Sequence, residues 1–349
     1  NIGLNLLSFV VLGKTDVFYV FSLNLVCTGI ITFLFIPEFL HEHFAARRYA
    51  LDHDENLKIF DTDLLKRMLK YSWPILVLGI AGILNQTIDK MIFPFVYSQS
   101  HPVIYDETGE IAISPASVQL GIYGACVKIA MIMAMITQAF RYAYEPIVFA
   151  KSKDADKKEY YATAMKYFLI FALFAFLCVV GYMPILQYII GEEYREGLRV
   201  VPIVMVAEIM MGVYFNLSFW YKLIDKTIWG AWFSLAGCAM LIAVNIIFIP
   251  YYGYMACAWG GVAGYGTAMV LSYFVGRKKY PIDYDIKGMG MYVVLTLILF
   301  SIMTCVPWTN GVVEVIGNTC LIIFYIYIVM KKDIPHDTIS HFISRILHR

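Results

Sequence analysis

YSWPILVLGIAGILNQTIDKMIFPFVY, residues 71–97, and LGIYGACVKIAMIMAMITQAFRYAYEPIVF, residues 120–149, decide the fold. Each is long enough to cross a bilayer as a helix, which takes roughly 20 apolar residues. Each also carries charge inside its apolar run: Asp89 and Lys90 in the first, Lys128 in the second. A charge facing lipid at that depth is costly, so such residues normally face a protein interior or a watered cavity. A helical pair of this kind suggests a transporter.

The rest of the chain supplies the setting. It is 60% hydrophobic, 16% aromatic and 15% charged, far more apolar than a soluble globular protein, which makes it an all-α polytopic membrane protein. A formal net charge of +1 provides no global field for nucleic acid or an acidic partner. All seven cysteines sit in apolar runs without a CxxC pair and read as buried small hydrophobes. His41 and His43 have no third ligand nearby, so no metal site and no cofactor is expected.

Nine spans are expected, near 17–37, 72–97, 118–141 (continuing to 149), 163–190, 200–221, 228–249, 254–276, 289–306 and 313–330. The apolar segment 2–12 is too short to span and has neither a basic n-region before it nor a cleavage pattern after it. It reads as part of a helix that starts before Asn1. With these spans, 22 of the 27 lysines and arginines fall in loops on one side, only Lys14, Arg195 and Arg199 on the other, and Lys90 and Lys128 within spans. That bias predicts a cytoplasmic C-terminus. Leu64, Leu65, Met68 and Leu69 form an apolar face after Asp61 or Thr62, as do Ile339, Phe342, Ile343 and Ile346 in the tail; each reads either as a helix on the membrane surface or as a packed cytoplasmic helix. The predicted outer loop 98–117 is polar and extended, with Asp106, Glu107 and Glu110 and no arginine or lysine.

At 1.5 Å per residue, Asp89 and Lys90 lie about 12 Å deep, Lys128 about 15 Å, and Glu208 about eight residues into its own helix, so four titratable groups share one layer. Their charges cancel, and pairing of Asp89 with Lys128, or of Lys90 with Glu208, would lower the cost of burial. Such pairs either lock the bundle or line a central cavity, with the lysines meeting an anionic head group and the carboxylates Asp89 and Glu208 coupling to an ion. Asn85, Gln86 and Gln138 add uncharged polar groups suited to interhelical hydrogen bonds. Arg141 and Glu145, four apart, form either a surface pair or, with Tyr142, Tyr144 and Pro146, an inner gate. GGVAGYG at 260–266 sits in an apolar span with no preceding strand, so it reads as close helix packing through Gly260 and Gly264 rather than a nucleotide fingerprint. No nucleophile with a paired base appears, which argues against an enzyme and assigns no catalytic residue.

Four stretches together give a family likeness: LLKRMLKYSWPILVLGIAGILNQTIDKMI (64–92), GIYGACVKIAMIMAMITQAFRYAYEPIVFAKSKD (121–154), YREGLRVVPIVMVAEIMMGVYFNLSFWYKLIDKT (194–227) and NIIFIPYYGYMACAWGGVAGYG (245–266). The chain resembles the bacterial polysaccharide flippases, the O-antigen and capsule translocators of the multidrug and oligosaccharidyl-lipid exporter superfamily. The resemblance implies an exporter-type helical bundle. Residues 1–38 would be the remnant of a first lobe, 39–71 a cytoplasmic linker with an amphipathic helix and 72–276 the second six-helix lobe. Residues 277–330 would be two appended helices and 331–349 a cytoplasmic amphipathic tail. It further implies a multi-pass protein of the bacterial inner membrane that flips a lipid-linked oligosaccharide, a polyprenyl diphosphate bearing a sugar repeat unit, by alternating access. Membrane lipids, a proton or sodium ion and the polysaccharide polymerase machinery are the implied partners. Lys90 and Lys128 would contact the diphosphate or balance the acids, with Asp89 or Glu208 coupling the cycle. The alternatives are a multidrug or cation antiporter of the same superfamily and, further off, a membrane glycosyltransferase or polymerase.

Overall fold

The computed structural model describes residues 17–52, 62–102, 104–105, 111–151, 154, 156–306 and 310–333. The segment 2–12, the acids Asp106, Glu107 and Glu110, and the tail helix around Ile339–Ile346 lie outside the described residues. The chain divides into two units, 1–67 and 68–349. In the first, α1 (Val17–Asp52) carries an exposed apolar stretch that includes Leu25, Phe33, Leu34 and Phe39. It does not stop near residue 37, as the sequence reading expected. It passes through Pro37, because the following EFLHEHFAARRYALD is rich in helix formers.

The second unit is a helical bundle. Its long helices are α2 (Thr62–Ser100, starting before the unit boundary), α3 (Pro115–Ala150), α4 (Lys157–Gly181), α5 (Val200–Leu217), α6 (Ile228–Tyr252), α7 (Tyr254–Lys279), α8 (Ile286–Cys305) and α9 (Gly311–Asp333). Eight helices among the described residues are long and apolar enough to cross a membrane. The ninth expected span, α7, is long enough at 26 residues but is not among the eight, since its glycines together with Trp259, Tyr265 and Thr267 dilute its apolar character.

Two helix ends differ from expectation for legible reasons. The separate surface helix at 64–69 is absent: Leu65, Met68, Leu69 and Leu76 keep helical spacing and the backbone stays helical through Pro74, so Thr62–Ser100 is one helix about 58 Å long. The span expected at 163–190 ends at Gly181. Tyr182 caps it, Pro184 starts a short helical turn at Met183–Leu186, and 3-10 turns follow at Gln187–Ile189 and Glu192–Arg199. The loop between α2 and α3 contains a two-stranded antiparallel pair, β1 (Ile104–Tyr105) and β2 (Ile111–Ile113), and Ser114 caps α3 through Ser117 N–H at 3.4 Å.

The main core surrounds α4, whose Phe168, Leu177 and neighbours pack against Met133 of α3, Met205 of α5, Leu299 of α8 and Tyr325 of α9. A second core joins Phe93 of α2, Tyr123 of α3, Val200 of α5, Ile249 of α6 and Cys257 of α7. Helices α6 and α7 approach through bare backbone: a methyl group on Gly237 would lie 2.7 Å from the Gly264 carbonyl oxygen. The turn between them is made by Gly253 at φ 55°, which a side chain would strain.

Candidate functional site

The buried stripe of α2 is Ala81, Asn85, Asp89 and Phe93, every fourth residue. Two of its four members are polar, and this puts Asp89 in the second core at 6% exposure rather than at a wet surface. There Tyr123 donates its hydroxyl hydrogen to Asp89 Oδ2 at 2.9 Å, and the Lys90 backbone N–H donates to Asp89 Oδ1 at 2.8 Å. A carboxylate with two donors can remain buried. Asn85, also 6% exposed, has no hydrogen-bond partner for its Oδ1 among the described residues.

Lys90 is half-buried, with Nζ 3.5 Å from the Gln86 carbonyl oxygen. Gln86 Nε2 approaches Met211 Sδ of α5 at 3.9 Å. In an antiparallel α2–α5 pair that register carries Lys90 toward Glu208, and Lys90 is the cation acting on the half-buried Glu208 carboxyl. Tyr265 of α7 lies within electrostatic reach of both Glu208 and Asp89, and its hydroxyl has no hydrogen-bond partner among the described residues. The structure therefore brings together Asp89, Lys90, Glu208, Tyr123 and Tyr265 from four helices.

Lys128 does not join them, and the expected Asp89–Lys128 pair is not formed. The buried positions of α3 around this level are Ile122, Tyr123, Cys126, Ile129, Ala130, Met133 and Thr137, and Lys128 falls on the opposite side. It shares an uncovered stripe with Met131, Met135, Gln138 and Tyr142, and Gln138 Nε2 donates to the Tyr142 hydroxyl oxygen at 3.2 Å. No ion pair to Lys128 occurs among the described residues. Glu208 likewise makes no direct ion pair; Lys90 acts on it without reaching contact distance.

Toward the other end of α3, Arg141 Nε stands 3.8 Å from Glu145 Oε2, while Lys222 Nζ donates to Glu145 Oε1 at 2.9 Å. Both cations also lie over the Phe215 ring, at 4.9 Å and 4.8 Å from its centre. One carboxylate thus serves two cations across α3 and the short helix Phe219–Leu223.

Sequence reasoning missed Tyr123, Tyr265 and Lys222. A tyrosine in an apolar run scores as hydrophobic, so its hydroxyl leaves no trace in a hydropathy pattern. Lys222 was counted only as a loop charge, although it directly follows an aromatic cluster, Phe219-Trp220-Tyr221. Two cavities are formed elsewhere and hold none of the expected site residues. One of about 790 Å³ is lined by Asp156, Glu159, Lys166, Asp283 and Asp285. An apolar groove of about 560 Å³ lies between α4, α5, α7 and α8. No cluster of three His, Cys, Asp or Glu residues suited to a metal exists among the described residues.

No family profile matches the sequence, and no curated protein matches it. Among solved structures the chain is similar to the lipid II flippase MurJ in its inward closed conformation, with a TM-score of 0.55 at 14% identity, over 79% of this chain and 57% of that one. The likeness is one of fold: an exporter-type helical bundle. The chain spans 57% of the length of the protein it matches.

Proposed function

We propose that the protein is a transporter that flips a polyprenyl-diphosphate-linked oligosaccharide from the cytoplasmic to the outer leaflet during cell-surface polysaccharide synthesis. The observation carrying this reading is that the bundle, whose fold resembles a lipid-linked-substrate flippase, holds titratable residues of opposite sign inside it: Asp89 and Glu208, with Lys90 acting on both. The organisation follows the family likeness, with 72–276 as the second lobe, 277–330 as an appended pair and the cytoplasmic membrane as the location. Cargo is moved rather than transformed, so no catalytic residue is assigned.

In this reading the uncovered stripe of α3 faces the cargo. Lys128 meets the diphosphate, and Gln138 and Gln86 offer uncharged hydrogen-bond groups to the head group. Asp89 and Glu208 exchange a proton or sodium ion, Asp89 through the Tyr123 hydroxyl. Arg141 and Glu145, joined by Lys222, close the cytoplasmic end. The test is complementation of a strain lacking a polysaccharide flippase with the full-length protein. Restored polymer is expected, and loss of export in Lys128→Ala with normal accumulation supports cargo contact. Undiminished export in that variant removes Lys128 from the role, and drug resistance without polymer export replaces this reading with the antiporter.

A further inference from the structure

The appended helices are tied to the bundle at three heights along one helix. At the end of α9, Asp333 accepts from Lys166 Nζ of α4 and from the Tyr292 hydroxyl of α8, and its carbonyl oxygen accepts from Tyr167 at 3.1 Å. Lys166 also meets Asp285 Oδ2, the cap of α8, at 3.1 Å. Midway, Tyr325 donates to the Ile170 carbonyl oxygen at 3.0 Å. At the far end Asn318 Nδ2 donates to the Gly181 carbonyl oxygen at 2.9 Å, and the Tyr182 hydroxyl lies 3.2 Å from Thr319 Oγ1.

The two ends of the seam are in register, and the long Tyr325 side chain reaches one turn along α4 between them. Asn318 and Asp333 are fifteen residues apart on α9, and so are Lys166 and Gly181 on α4, about 22 Å of antiparallel helix on each side. Asn318 and Tyr325 are two of only three buried residues on α9, the third being Ile322 between them. Gly181 leaves room for that seam, since a methyl group there would lie 3.2 Å from Ile322 Cδ1. In hydrocarbon no hydrophobic force draws two apolar helices together, so packing and polar bonds of this kind decide which neighbours stay joined.

We propose that this seam is a clasp that makes α8 and α9 a fixed part of the 68–349 unit. The pair therefore travels with α4 through any transport cycle instead of swinging as a gate. The inference concerns moving parts and holds whatever the cargo is. Spin labels on Glu159→Cys of α4 and Lys331→Cys of α9, in full-length protein whose native cysteines are replaced and whose export is retained, read the clasped ends by pulsed electron paramagnetic resonance. One narrow distance distribution is expected in vesicles, unchanged when a proton or sodium gradient is imposed. Lys166→Ala broadens it and lengthens its mean. Tyr292→Phe, which keeps every charge, broadens it less and serves alone if Lys166→Ala fails to accumulate. A two-peaked distribution that responds to the gradient in the unsubstituted clasp overturns the proposal, as does a distribution that neither substitution changes.

Discussion

Asp89 has two donors, and removing one leaves a buried carboxylate short of a partner. Tyr123→Phe deletes the hydroxyl while keeping the ring, so it is expected to lower stability by about 1–3 kcal/mol, read as a fall in the detergent unfolding midpoint. Asp89→Asn keeps an oxygen that can accept from Tyr123 and is expected to cost less; equal losses would show that the hydroxyl does not support the acid. Lys128→Ala, on the uncovered stripe, is expected to change stability by no more than about 0.5 kcal/mol. The contrast also shows what the sequence could carry at this scale. Depth along a helix follows from counting residues. Direction follows from the contrast between apolar and polar faces, and α3 is apolar nearly all round, so nothing in its pattern separates position 128 from the buried 126 and 129.

Elements are held by two devices, close backbone approach and capping. At the crossing of α5 over α4, a methyl group on Gly212 would overlap the ring of Phe168, itself buried. Gly212→Ala is expected to destabilise by about 1–3 kcal/mol through overpacking, and Phe168→Leu in the same chain should recover part of the loss. At the start of α8, Asp285 Oδ1 accepts from the Gly288 N–H at 2.9 Å. That bond and then the Lys166 ammonium hold its carboxyl below the usual aspartate range. A lowered folded pKa stabilises above the unfolded value, about 3.9, and the contribution is lost as pH falls through the folded value. Asp285→Asn is therefore expected to flatten the unfolding midpoint's dependence on pH between about 5 and 3, and an unchanged slope would show the cap to be idle. Helix existence was legible because long apolar runs have few alternatives. Helix ends were less so: the α4 terminus is set by Tyr182 and Pro184 acting against a hydropathy that stays high to residue 190.

At the scale of the molecule, a bundle of membrane-length helices was legible from the apolar runs, because their existence survives small errors in any one boundary, whereas its exporter type was legible only through the family likeness. The partners of Lys90 and Glu145 were not fully legible, since they come from helices far apart in sequence, and only folding reveals which faces meet. The strongest whole-molecule expectation is orientation. Lysine and arginine resist transfer across the membrane during insertion, so the loops rich in them stay inside. If α5 and α6 are consecutive spans, the 3-10 segment Glu192–Arg199 and the turn at Asp225–Lys226 lie on opposite sides. A cysteine at Glu193 should then react with an impermeant maleimide in intact cells. Cysteines at Asp225, Asp154 and Lys278 should react only after the membrane is opened. Labelling of Glu193→Cys and Lys278→Cys from the same side would require an odd change in span number between them. Since α7 is the one expected span whose apolar character falls short, that outcome would point to α7 as a helix that does not cross.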